Sequence, residues 1–151
     1  GVRVDATSGG VQVGIGGASA STALLYVNGD TQGRHFGGNN TPSATTGTGA
    51  GTGGSPSVTL ATGSTDTCGK IIVTTGTTCA ASVAIVKLTF ATSFTNAPFV
   101  VLTPGTSDTS ALSGAKAVYV KPTTGYFEIN AGATQLSDTL TYEWHYHVLG
   151  N

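Results

Sequence analysis

The chain has 151 residues, a formal net charge of −1 and only 9% charged side chains, against roughly 25% in typical soluble domains. Its six Lys and Arg residues are scattered, which excludes a basic patch for nucleic acid or an anionic membrane, and no apolar run approaches the ~20 residues of a membrane span. Threonine and glycine are the commonest residues and, with valine, they favour strands and turns. An all-β protein is therefore expected, with no nucleic-acid partner and no membrane insertion.

Residues 1–36 predict a thin β segment that resembles a shaft. Apolar residues alternate with small or polar ones through VRVDATSGGVQVGIG, and the later run LLYV ends in an Asn28-Gly29 turn. The segment has too few large apolar side chains to build a core of its own. Packing against identical copies is the better prediction, which points to a homo-oligomer.

Residues 37–57 are of low complexity and consist mainly of Gly, Ser and Thr. Such a composition is typical of a flexible linker. The alternative is an ordered but irregular neck or long loop that packs against neighbouring subunits. The sequence leaves both open.

Residues 58–151 carry most of the large apolar residues, in short runs separated by turn residues. Strands are predicted at 58–60, 70–74, 83–90, 99–103, 115–121, 126–130 and 139–149. Buried positions are expected at Ala84, Val86, Leu88 and Phe90, and at Val118, Val120, Phe127 and Ile129. Seven strands at near-regular spacing predict an antiparallel, jelly-roll-like β-sandwich head.

Two stretches resemble bacteriophage fibre proteins. The segment VGIGGASASTALLYVNGD resembles the "GIGTxxPxxxLxVNGD" segment of tail fibres and surface fibres over residues 14–30, with Gly17 and Ala20 where that family has Thr and Pro. Residues 69–150, with VAIVKLTFATSFTNAPFVVLTP and YEWHYHVLG, resemble the C-terminal head domain of tail or capsid fibres. The resemblance implies a trimeric fibre on the virion surface, outside the cell.

Ligand contacts in such a head are expected on loops and on exposed aromatic rings, because binding concentrates on loops over a rigid scaffold. The loops at 106–114 and 131–137 are the candidates, with Asp108 and Gln135 as their polar residues. Tyr126 follows a turn and is expected to be exposed. The ligand expected is a cell-surface glycan or protein.

The last predicted strand alternates between an aromatic face and a polar face. The aromatic face holds Tyr142, Trp144, Tyr146 and Val148, and Trp144 is expected to fill the core. His145 and His147 share the other face and could ligate one metal; across a trimer axis, three such pairs supply six imidazoles. The alternative, favoured by the single pair, is that both histidines face solvent or a neighbour.

Cys68 and Cys79 are the two cysteines, separated by ten residues that contain a short strand and a turn. They could form a local disulfide, which the chain-entropy model values at about 2–3 kcal/mol. Two free thiols are the alternative. Their number and spacing do not fit the four ligands of a structural zinc site.

Catalysis is not expected. The sequence lacks a Gly-x-Ser-x-Gly elbow, and its two glutamates, Glu128 and Glu143, both lie in predicted strands. No cofactor is expected either. The function predicted is multivalent attachment by a trimeric fibre or adhesin subunit. The alternatives are a structural capsid-decoration or filament subunit, and a carbohydrate-binding module.

Overall fold

The computed structural model describes residues 40–150. The chain divides into two units, residues 1–35 and 36–151, and the described residues belong to the second. The predicted shaft segment, with its Asn28-Gly29 turn, lies outside the described residues.

The described part is an antiparallel β-sandwich, as the sequence predicted. Its strands are β1 (Ser43–Thr46), β2 (Ser57–Leu60), β3 (Cys68–Thr74), β4 (Ala84–Thr89), β5 (Phe99–Pro104), β6 (Tyr119–Pro122), β7 (Tyr126–Asn130) and β8 (Thr141–Leu149). Sheet I has the order β1-β4-β7-β6 and sheet II the order β2-β3-β8-β5. A single α-helical turn, α1 (Ser107–Ser110), and two 3-10 turns, Thr48–Ala50 and Gly114–Lys116, complete this part.

Strand β8 organises sheet II, because it is paired along both edges, with β3 and with β5. Its predicted faces are confirmed: the aromatic face is buried, and His145 and His147 are exposed. Trp144 is 1% exposed, so it fills the core as expected. Opposite it, Phe127 and Ile129 of β7 are fully buried, and the partly buried Val118 and Val120 pack against the same core.

Strand β4 departs from simple alternation near its start. A register shift between Ala84 and Val86 marks a β-bulge against β7. The extra residue turns Ile85 inward as well, so Ile85, Val86 and Leu88 are all fully buried. The bulge thus adds one large side chain to the core that period-two alternation does not predict.

Residues 40–57 belong to the sandwich, which therefore begins before residue 58. Strand β1 pairs with β4 from Ser43 opposite Thr89 to Thr46 opposite Val86, so this stretch is an ordered part of the head. The strand predicted at 115–121 begins only at Tyr119, because Gly114, with φ of 56°, starts a 3-10 turn instead. The turn α1 was not predicted from the sequence.

The strands run between two ends of the sandwich, each named here after an aspartate. The Asp66 end contains residues 40–42, 61–67, 90–98 and 122–125. There the buried Asp66 carboxylate accepts hydrogen bonds from the amides of Ala91 (2.8 Å) and Thr92 (3.0 Å). The Asp138 end contains residues 47–56, 75–83, 105–118 and 131–140.

Candidate functional site

A polar cleft of about 270 Å³ opens at the Asp138 end. It is formed where the 3-10 turn Gly114–Lys116 meets the loop between β7 and β8. The amide of Thr134 donates to the Ala115 carbonyl (2.8 Å), which joins the two segments. The cleft is lined by Lys116, Thr134, Gln135, Leu136, Ser137 and Asp138.

The loop between β7 and β8 is held in place by buried groups on its core side. Leu136 is 1% exposed and anchors the loop in the core. The Ser137 amide donates to the Tyr142 hydroxyl (3.2 Å), and the buried Thr75 hydroxyl donates to the Ser137 carbonyl (2.8 Å). Because these groups are buried and paired, the polar side chains above them are presented on a pre-organised backbone.

Asp138 lines the cleft and also binds the neighbouring loop that follows β3. Its carboxylate accepts hydrogen bonds from the amides of Thr78 (3.2 Å) and Cys79 (3.1 Å). A hydrogen bond from the Cys79 thiol, followed by these two amides, lowers the Asp138 pKa below its ordinary value. Burial, followed by the contact with Asp138, raises the pKa of Cys79 to about 11. Both shifts favour an ionised carboxylate beside a protonated thiol.

Backbone strain is concentrated at the same end. Among residues 40–150, the non-glycine residues with positive φ are Ser55, Thr78, Ser82 and Thr139, with φ between 54° and 61°. All four lie in loops of the Asp138 end. Two are β-branched threonines, for which the left-handed region is especially unfavourable. Such strain is characteristic of functional loops, where the surrounding structure imposes the conformation.

The chemistry of the cleft is that of hydrogen bonding. Lys116 Nζ donates to the Ser137 hydroxyl at 3.4 Å, and the exposed Gln135 amide offers both donors and an acceptor. With Thr134 and Asp138 they form a mixed set of donors and acceptors with one positive and one negative charge. This set matches the hydroxyl groups of a polar ligand.

The structure brings together some of the predicted ligand residues and separates others. Gln135 lines the cleft, and Asp108, on α1, is exposed at the same end but does not line it. Tyr126 lies at the Asp66 end, and the Lys87 ammonium sits 3.9 Å from the centre of its ring. Tyr126 and Gln135 thus lie at opposite ends of the sandwich, and the ligand-binding role of each stays a prediction.

Sequence reasoning missed Lys116 and Asp138 as lining residues. Lys116 lies inside the predicted strand 115–121, and Asp138 lies just outside the predicted loop 131–137. The Gly114 that precedes Lys116 by two residues was the available signal, since glycine favours a turn there.

His145 and His147 are exposed on the outer face of sheet II, as expected from the alternation. Glu143 Oε1 lies 3.3 Å from both His145 Nε2 and Lys70 Nζ, which forms a small ionic cluster on this face. Within residues 40–150, no group of three or more His, Cys, Asp or Glu side chains is placed to hold a metal ion. A metal shared across a trimer axis stays a prediction.

The disulfide between Cys68 and Cys79 is not formed, and both residues are free thiols. Cys68 opens β3 at the Asp66 end, whereas Cys79 follows β3 at the Asp138 end. The six residue steps from Cys68 to Thr74 in extended conformation span about 20 Å. A disulfide needs a Cα separation below about 7 Å, so the strand itself keeps the two thiols apart.

Two further clefts have no charged side chain among their lining residues. One of about 440 Å³ separates β5 from β6, with the buried Trp144 and the half-exposed Tyr119 among mainly aliphatic neighbours. The other, about 530 Å³, lies at the Asp66 end along residues 41–42 and 60–65. Of the three, only the cleft at the Asp138 end combines a cation, an anion and an amide.

In the part of the chain that the structure describes, no helix is long and apolar enough to cross a membrane. Comparison of the chain with protein-family models, with curated proteins and with solved structures finds no match.

Proposed function

We propose that the chain is a non-enzymatic fibre or adhesin subunit of bacteriophage type, which attaches a virion to the host surface through a trimeric β head. The observation that carries the proposal is the polar cleft at the Asp138 end, set on a pre-organised loop of a rigid sandwich. The resemblance of residues 14–30 and 69–150 to phage fibres supplies the biological setting.

The ligand proposed is a surface glycan, bound without chemical change. Gln135, Thr134 and Lys116 can hydrogen-bond to sugar hydroxyls, and Asp138 can accept from them. A shallow site of this size binds weakly by itself. Three copies held in one rigid assembly bind a surface together, which raises the overall avidity by about 10²–10⁴ without any new contact.

The placement of the carboxylates supports a non-enzymatic role. Glu128 is on β7 in sheet I and Glu143 is on β8 in sheet II, so the two glutamates lie on different sheets. Cys79 is held protonated at neutral pH by its raised pKa, which disfavours it as a nucleophile.

A glycan array of the full chain tests the proposal. We expect selective binding of a small set of glycans, weakened about tenfold or more by Gln135→Ala, because an amide that lines the cleft is lost. The matched control is Tyr126→Ala, at the opposite end, which should bind as the parent does. Absence of any glycan ligand, or equal losses in both variants, would argue against the proposal.

A structural subunit of a capsid or filament is the second candidate. It is favoured by the bare apolar side chains of Phe99 and Leu149, which are 71% and 51% exposed. Open polymers in solution, together with no glycan binding, would favour this role.

A further inference from the structure

The outer face of sheet II has an apolar corner at the Asp66 end, defined by Phe99, Val101 and Leu149. Phe99 lies directly opposite Leu149 across the β5–β8 pair, and Val101 is two positions along the same face, opposite His147. The three side chains are therefore contiguous on one face. Five large apolar side chains are more than a third exposed in residues 40–150, and three of them form this corner.

The outer face of sheet I has a different surface. Its central row is Lys87, Glu128 and Lys121, paired across three neighbouring strands. The Tyr126 ring on that face is covered by the Lys87 ammonium. Sheet I thus presents lysine and glutamate residues in adjacent register positions on its outer face, whereas the corner of sheet II exposes apolar groups that water solvates poorly.

We infer that the apolar corner is the contact between copies of this chain, where the corners of three subunits converge on a threefold axis. The threefold stoichiometry rests on the proposed function. The corner contains no charged side chain, and on the same face Lys70 and Glu143 are paired with each other at 3.3 Å. The imidazole of His147, opposite Val101, is the titratable group that borders the corner. A second copy can therefore approach without burying an unpaired charge.

The position at which the chain enters the sandwich supports another copy of the chain as the partner. The Asn40 carbonyl accepts a hydrogen bond from the Asp66 amide (3.0 Å). The carbonyl of Thr67, which follows Asp66 in the chain, accepts a hydrogen bond from the amide of Val148 beside the corner. The described chain thus enters the sandwich, at Asn40, at the end that holds the corner. Corners that meet on one axis would bring the three chain entries to the same end, in keeping with the packing among identical copies that the sequence of residues 1–36 predicts.

Light scattering and cross-linking of the full chain test the inference. Phe99→Ser removes an apolar anchor that is mostly exposed in the single subunit, so the subunit should fold and the association should weaken about tenfold or more. Tyr119→Ser, an exposed aromatic residue on sheet I, is the matched control and should leave the mass unchanged. Thermal unfolding of both variants reports whether each subunit remains folded.

Cross-linking gives a readout that does not depend on the Phe99 variant. In a Cys68→Ser, Cys79→Ser background, Val101→Cys should form disulfide-linked subunits under mild oxidation, because symmetry-related corners meet. Thr45→Cys, exposed on the outer face of sheet I, should not.

The outcomes separate this inference from the proposed function. A trimer with efficient cross-linking at Val101 supports it, and a dimer cross-linked there also supports the corner while removing the threefold fibre head. A trimer that ignores Phe99→Ser and cross-links equally at both positions overturns the inference and leaves the attachment role intact. A monomer at every concentration overturns the inference, and the glycan array then decides the function.

Discussion

At each end of the sandwich an aspartate carboxylate accepts hydrogen bonds from two successive backbone amides, an arrangement called here an aspartate clasp. The two clasps, at Asp66 and at Asp138, lie in different surroundings. The Asp66 pair measures 2.8 and 3.0 Å around a side chain that is buried, whereas the Asp138 pair measures 3.1 and 3.2 Å around an exposed residue. Burial strengthens a charged hydrogen bond and makes its loss costly. The hydrogen bonds of Asp66 should therefore stabilise the fold more than those of Asp138, whose carboxylate stays accessible at the surface.

The packing beneath each clasp reinforces this difference. At the Asp66 end, aromatic rings pack in edge-on or tilted pairs, with centroid distances of 4.8 Å between Phe90 and Phe94, 5.9 Å between Phe90 and Phe127, and 5.6 Å between Phe127 and Tyr146. At the Asp138 end, the loops are held by hydrogen bonds of Thr75 and Asp138, and they contain the non-glycine residues with positive φ. The Asp66 end thus combines a buried carboxylate with aromatic packing, whereas the Asp138 end combines exposed polar side chains with strained loops.

Removing the buried clasp should have the largest effect. Asp66→Ala leaves the amides of Ala91 and Thr92 without their acceptor, and we expect the free energy of unfolding to fall by about 3 kcal/mol. Urea denaturation measures this loss. Asp138→Ala is the matched control at the exposed clasp and should cost clearly less; equal losses at both ends would refute the comparison.

The second largest effect is expected at alkaline pH, which should lower the stability contributed by Cys79 at the Asp138 end. The Cys79 pKa rises in the folded state from 9.0 to about 11, so the folded state prefers the protonated thiol. The stability that this preference contributes is present below pH 9 and is lost as the pH rises through about 11. Cys79→Ser keeps a hydroxyl donor that does not titrate, so its melting temperature should fall less over this range. Parallel melting curves for parent and variant would contradict the assignment.

The strain at the Asp138 end should be relieved by glycine. Thr139→Gly removes a side chain from a residue with φ of 58°, and we expect a gain of about 0.5–1 kcal/mol after the greater entropy of the unfolded glycine is subtracted. Thr62→Gly, in a loop of the Asp66 end where φ is not positive, should destabilise instead. Chemical denaturation of both variants compares them, and a loss in Thr139→Gly would show that its backbone is not strained.

Acid should give the smallest effect, because Asp138 is exposed to solvent. Its pKa lies below the ordinary aspartate value of 3.8, so its ionised form is favoured by folding. The resulting stability is present above pH 3.8 and is lost as the pH falls through the lower, folded-state pKa. The stability difference between the parent and Asp138→Asn should therefore shrink in acid. A difference that is constant from pH 7 to strong acid would rule out this linkage.

Sequence periodicity predicted well those strands that have one apolar face and one polar face. The alternation of β8 and the bounds of β7 follow from side chains that alternate between core and solvent. Strand β1, with sequence SATT, has no such alternation, and it is a strand because β4 offers it an edge to pair with. Its partners lie 40 to 46 positions further along the chain, from Thr46 opposite Val86 to Ser43 opposite Thr89, and such tertiary effects override local propensity.

The site was predictable only in part, for a related reason. Gln135 was identified because it is a polar residue in a long loop. The cleft also needs Lys116 beside it, and that proximity comes from the hydrogen bond between Thr134 and Ala115, a contact between separate loops. The sequence left the disulfide and the two free thiols as alternatives, because spacing along the sequence does not reveal that β3 stays extended between Cys68 and Thr74.

The opposite placement of the chain entry and the polar cleft has a mechanical consequence. A pull between the Asp138 end and the chain at Asn40 would enter sheet I through β1, which pairs antiparallel with β4, and would act along these strands. The hydrogen bonds between antiparallel strands are perpendicular to that direction. They would therefore bear the load together in shear rather than opening one after another.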